Sequence, residues 1–200
     1  MQITLKFFIM KFLKITTAAL ALTMTLAIGN TAHAQTMSKK EKTVMVGGAA
    51  MFPSKNIIEN ALNSKDHTTL VAAVKAAGLL ETLQGKGPFT VFAPTDAAFA
   101  KLPKGTVETL VMPENKATLT NILTYHVVPG KISAKDLGMW IKKNGGKYMV
   151  KTVQGEELTF WMKEKNIYVK DAKGNSAKIT IADVDQSNGV IPVINTVLMP

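Results

Sequence analysis

Several residue sets in this sequence could do chemistry, and each needs partners at a fixed spacing. The most prominent is His126, within the stretch Asn121–Lys131, NILTYHVVPGK. An imidazole titrates near neutral pH, so it can act as a general base, a metal ligand or a binding contact. Nucleophilic catalysis would require an activated nucleophile and an orienting group beside it. The chain has no Cys and no Gly-x-Ser-x-Gly elbow, and the six serines after residue 34 fall in no motif connected to His126. A zinc site would need three or four His, Cys or carboxylate ligands. Beyond residue 34 only His67 and His126 remain, without a helical His-x-x-x-His spacing. There is no Gly-x-x-x-x-Gly-Lys loop to cradle a phosphate. Asp183–Gly189, DVDQSNG, begins like a calcium loop. Its glycine comes one place late, however, and position twelve is Ile194 where a bidentate Glu belongs. Glu156-Glu157 follow a hairpin glycine, and adjacent strand positions point to opposite faces, so they do not form a catalytic pair. These residues favour a binding protein over an enzyme, with no metal and no cofactor.

The elements that would position these residues can be read from periodicity. A helix from about Glu114 sets Leu119, Ile122, Leu123 and His126 on one apolar face, and Pro129-Gly130 turns the chain after it. His126 is therefore expected to be a core imidazole bonded to backbone, with partner contact as its alternative role. Upstream, Asp66 is expected to cap a helix carrying Leu70, Val71, Val74 and Ala77, which Gly78 stops. His67 would lie exposed in its first turn. Phe89–Phe92 reads as a strand, Pro94 breaks it, Thr95 caps the next helix and Asp96 enters its first turn. After Gly130 the period changes to two. Leu158, Phe160 and Met162 share one face, as do Ile167 and Val169, and Lys173-Gly174-Asn175 makes a hairpin turn. Helices first and antiparallel strands later predict an α+β domain.

Residues 1–34 read as a cleaved signal peptide: Lys6, Lys11 and Lys14, an apolar run from Ile15 to Ile28, then Ala32-His33-Ala34. Export to the periplasm or beyond is expected, with no later segment long and apolar enough to span a bilayer. Residues 35–55 are expected to form a mobile tether, and 56–200 the folded domain. Removing the three leader lysines takes the net charge from +10 to +7, 21 Lys against 14 acids. Every basic residue is Lys, and without Arg sequence-specific nucleic-acid reading is excluded as an expectation. Lys142 to Lys178 holds nine lysines and four acids. Lys142, Lys143, Lys147, Lys151, Lys163, Lys165 and Lys170 could line a face for acidic polysaccharide, lipopolysaccharide or anionic lipid. The same lysines would also serve as an ordinary solvated surface.

From about Asn56 to Pro200 the chain resembles the fasciclin (FAS1) domain family. FTVFAPTDAAFAKLP is similar to its first signature block, NILTYHVVPG to its central Tyr-His motif, and SNGVIPVINTVLMP to its second block. The resemblance implies helices packed on a twisted antiparallel β-sandwich. It further implies a non-enzymatic role in adhesion or protein–protein contact at the cell envelope or in the extracellular matrix. Family attachment sites would fall on Tyr125 and His126, and on Asp183 with Val184. Here the chain departs from the family pattern: Val184 replaces an Ile, Pro192 a His and Asn195 an Asp. A protein or a glycan is the expected partner.

Overall fold

The computed structural model describes residues 41–200; the leader expected over 1–34 and the start of the expected tether lie outside the described residues. The remainder of that tether is folded. β1 (Val44–Val46) and β2 (Ala49–Met51) pair antiparallel around Gly47-Gly48, both at positive φ. Val46 and Met51 are buried in the main core, which corrects the expectation of a mobile segment through residue 55. The reason is legible in retrospect, since Val44-Met45-Val46-Gly47-Gly48 is apolar strand followed by the dipeptide that tight hairpins favour.

The chain then runs through α1 (Ile57–Ala61), α2 (Thr68–Ala77), α3 (Leu80–Gln84), β3 (Phe89–Val91), β4 (Ala93–Pro94), α4 (Asp96–Phe99) and α5 (Thr106–Leu110). A 3-10 turn at Pro113–Asn115 leads into α6 (Lys116–Tyr125), β5 (Val127–Pro129) and α7 (Ala134–Lys143). Five strands finish it: β6 (Lys147–Lys151), β7 (Glu157–Lys163), β8 (Asn166–Lys170), β9 (Ser176–Gln186) and β10 (Gly189–Ile194). Local chemistry sets the helix starts. Asn56 with Glu59, and Ser133 with Asp136, form reciprocal capping boxes, while Thr95 accepts from the Ala98 N–H.

The larger sheet has the order β5-β3-β10-β9-β8-β7-β6, with β4 also paired to β10. The eleven-residue β9 joins its two halves. Its first residues pair with β8, and Ile179 to Gln186 pair with β10. Helices on a mostly antiparallel sheet make this an α+β fold. One feature departs from a fully antiparallel sandwich: β10 runs parallel to both β3 and β4. Parallel neighbours need a long crossover, and Gly189 meets Phe89 one hundred positions away, beyond the reach of local pattern. A Cβ on Gly189 would collide with the Phe89 carbonyl, so this approach demands glycine.

Two hydrophobic cores result. In one, α1, α2 and α6 pack through Ile57, Val74 and Leu123 against Val91, Val184 and Val193. In the other, α7 presses Leu137 and Ile141 onto Leu158, Phe160 and Val169 of the second sheet half.

Candidate functional site

Tyr125 ends α6 and His126 is its C-cap residue, with Leu119, Ile122 and Leu123 buried on the same face as expected. His126 is 2 % exposed. The Leu198 N–H donates to its Nε2 at 3.0 Å, so that nitrogen must carry the lone pair. The proton is therefore on Nδ1, which donates to the Ile122 carbonyl at 2.8 Å. Burial drives the imidazole pKa down to about 4, against the Ile122 carbonyl and the Asp171 charge, which both favour protonation. The ring is neutral, has one tautomer, and has both nitrogens committed to backbone.

Tyr125 is 0 % exposed. Its hydroxyl donates to the Glu157 carbonyl at 3.2 Å and accepts from the Ala172 N–H at 2.9 Å, tying α6 to the starts of β7 and the β8–β9 turn. Burial raises its pKa, the Ala172 N–H opposes, and the charges of Asp171 and Glu156 add to the rise. Neither side chain of the Tyr-His motif offers an atom to a partner, so the contact that the family resemblance implied at Tyr125 and His126 has no exposed atom to make it. Desolvation wins because the residues around them are apolar and the backbone satisfies every polar atom.

The second expected pair divides. Asp183 is exposed at φ 56°, where its Oδ1 accepts the Ala134 N–H at 2.7 Å and secures the start of α7. Val184 is 1 % exposed and belongs to the main core, so it is not a contact residue. Asp185 pairs with Lys131 at 2.7 Å, and Gln186 is buried against Asn60, so DVDQSNG is a strand and turn rather than a cation loop. Pro192 occupies a register shift between Ile191 and Val193, where a missing N–H costs no ladder bond. Asn195 accepts the Lys178 N–H at 2.8 Å through Oδ1, a bond the carboxylate of the family pattern would also make.

His67 is a further correction, because it is buried rather than exposed. It bonds Ser64 Oγ through Nδ1 at 2.8 Å, and its Nε2 has no hydrogen-bond partner. Burial lowers its pKa, against the Ala93 carbonyl and the charges of Asp66 and Asp96. His67 and His126 both border an apolar cavity of about 50 Å³, walled by residues such as Leu70, Leu80 and Leu123. Among the described residues no cluster of three His, Cys, Asp or Glu side chains could hold a metal. Asp66 does not cap α2. Asp96 does so from α4, accepting the Thr68 and Thr69 N–H groups at 3.2 and 2.8 Å and the Thr68 hydroxyl at 2.7 Å. The desolvation it suffers is outweighed by those donors, which hold its carboxyl below the usual range.

The lysines do not form one face. α7 covers the inner side of β6–β8, and Lys142 and Lys143 lie on α7. Lys147, Lys151, Lys163 and Lys170 alternate with core residues and so project from the opposite, outer side, while Lys165 sits in the β7–β8 turn. The cross-strand register builds a central outer row, Lys147–Trp161–Tyr168–Lys178. Trp161 and Tyr168 are half-exposed and stack with ring centroids 5.5 Å apart and 18° between planes. Sequence reading missed this aromatic pair. The alternation that put Phe160 inside also put Trp161 outside, but its neighbour on β8 depended on the register.

Comparison with known proteins agrees with this architecture. The fasciclin domain model matches residues 65–200. The protein sll1483 of Synechocystis is 49 % identical over 164 residues, covering 82 % of this chain and 84 % of that one. Immunogenic protein MPB70 of Mycobacterium bovis is 37 % identical over 150 residues, 70 % of this chain and 66 % of that protein. In fold, the FAS1 domain pair of the insect cell adhesion molecule Fasciclin I superposes with a TM-score of 0.66 at 16 % identity, over 80 % of this chain and 59 % of the pair. No helix among the described residues is long and apolar enough to cross a membrane. The chain belongs to the fasciclin domain family.

Proposed function

We propose that this protein is an exported, non-catalytic binding module that makes adhesive or protein–protein contacts at the cell envelope or in the extracellular matrix. One observation carries the reading. The residues with the greatest chemical potential, Tyr125 and His126, are consumed in joining α6 to the rest of the fold, so recognition falls to surface residues on a rigid scaffold. The contact is then made by exposed side chains around the motif rather than by the motif itself. A pull-down from solubilised envelope and secreted matrix, at low and at about 0.5 M salt, tests it. A protein retained at high salt supports the reading, and no capture at either salt refutes it.

A second reading is binding of a carbohydrate or another anionic surface. It is favoured by the outer face of β6–β9, where Lys147, Lys151, Lys163, Lys170 and Lys178 outnumber Glu157 and the flanking turn residues Glu156 and Glu164. Among the described residues the only ion pair is Lys131–Asp185, so these lysines are not neutralised by salt bridges. Capture that disappears at high salt would point here.

A further inference from the structure

Resting on the second of those readings, we infer that the outer face of β6–β9 is a subsite for an acidic polysaccharide, centred on the stacked Trp161–Tyr168 pair. Three features meet there. The first is an aromatic platform: C–H bonds on one side of a pyranose ring carry partial positive charge and match the negative face of an aromatic ring. Trp161 and Tyr168 stand on adjacent strands, fixed by direct pairing; because they stack on each other, one face of each ring is covered and the other is the face for a sugar.

The second feature is the placement of charge. Lys147 and Lys178 close the same row at its two ends. Strands lie ~4.8 Å apart, so their backbones stand roughly 14 Å from each other, the reach of a few linked sugars. Lys170 and Lys163 lie in the rows on either side. A chain of sugars crossing the strands over the aromatic pair would carry its anionic groups to lysines at both ends. Lys suits this task as a point charge on a flexible stem, with no demand for bidentate geometry.

The third feature separates a glycan from a membrane. A sheet face that docks on lipid needs apolar side chains able to enter the acyl region. Here the only large apolar side chain that is well exposed on this face is Met149, 57 % exposed on the terminal strand β6, and the aromatic rings are half-covered by each other and by neighbours. The surface is cationic and aromatic.

The experiment is affinity electrophoresis of the exported protein through gels containing polygalacturonate, neutral dextran or no polymer, alongside sedimentation with phosphatidylglycerol vesicles. Retardation by polygalacturonate alone is expected. Lys147→Gln combined with Lys178→Gln should weaken it roughly fivefold to tenfold, as two exposed charge contacts would. Trp161→Thr should weaken it roughly threefold or more, with the Lys sites intact. Lys142→Gln with Lys143→Gln, on α7, should leave it within about twofold. Far-UV circular dichroism confirms that each variant is folded, and Tyr168→Thr replaces Trp161→Thr if that variant is not. Equal loss from the α7 pair would mean net charge alone drives retention and would overturn the inference. So would an unaffected Trp161→Thr, no retardation at all, or stronger binding to vesicles than to polygalacturonate. If polygalacturonate fails while envelope capture still disappears at high salt, this subsite falls and the anionic-surface reading on which it rests stands.

Discussion

Acidification should destabilise this protein chiefly through His126, and the size of the effect follows from its burial. His126 is neutral in the fold with a pKa near 4, and an unfolded histidine titrates near 6.5. Between those values the unfolded chain binds a proton that the native state refuses. The contribution to stability is therefore complete above about pH 6.5 and lost as pH falls through about 4. Each unit in that window costs about 1.4 kcal/mol, so moving from pH 7.5 to 4.5 removes roughly 2–3 kcal/mol through His126. His67 adds a slope of the same sign, because burial lowers its pKa as well.

Urea unfolding at half-unit steps across that window, on wild type and His126→Gln, isolates the term. At pH 7.5 the variant should be less stable by about 2–4 kcal/mol, since the Ile122 carbonyl and Leu198 N–H lose an ideally placed partner in the interior. By pH 4.5 the gap between the two should have narrowed by roughly 2–3 kcal/mol, because the variant has no proton to refuse. Nitrogen NMR should show the Nδ1–H tautomer throughout the folded range. A gap that stays constant with pH, or a folded-state titration of His126 near 6.5, would refute the assignment.

Three further outcomes check other parts of the scaffold. Asp96→Ala should cost about 1–2 kcal/mol in urea unfolding by uncapping α2, whereas Asp66→Ala should change stability by less than about 0.5 kcal/mol; the reverse order would return the cap to Asp66. A chain beginning at residue 56 should unfold at clearly lower urea than one beginning at residue 35. It loses Val46 and Met51 from the core, each worth about 1.5–3 kcal/mol, and an unchanged midpoint would make the hairpin dispensable. Tyr125→Phe should cost about 1 kcal/mol with the fold retained and envelope capture per folded molecule unchanged; selective loss of capture would restore Tyr125 as a contact.

Much of this was legible locally, and what was not depended on residues distant in sequence. The apolar face of α6, the Thr95 cap and the alternation along β7 and β8 are properties of neighbouring residues, so periodicity was enough. The burial of His126 followed from its spacing to Leu119 and Ile122, while its partner Leu198, seventy-two positions on, did not. His67 misled because the first turn of an isolated helix is exposed, whereas here Ser64, Ala93 and the β1–β2 hairpin side of the core enclose it. The cap on α2 went to Asp66 by proximity, but a carboxylate arriving from α4 gives three donors a shared acceptor. The lysine run looked like one face because composition has no direction. α7 and the outer strands divide it between two sides of one sheet.

The placement of the Tyr-His motif explains how a fold of this kind can separate scaffold from recognition. Leu123 and Val127 enter the main core, Tyr125 and Val128 enter the second, and His126 between them binds the N–H of Leu198 from that second core. A few consecutive residues thus stitch two cores together, and a substitution among them disturbs both. Loss of adhesion on changing Tyr125 or His126 in this chain would be evidence about folding before it was evidence about contact. The outer sheet face has the opposite character. Along β7, Leu158 and Phe160 hold the core while Thr159, Trp161 and Lys163 alternate with them toward solvent. Exchanging outward residues leaves the inner set in place, because the strand period keeps the two sets apart. Residues on this face can therefore change at little cost in stability, and the motif that best marks the family is the part of the molecule least able to do so.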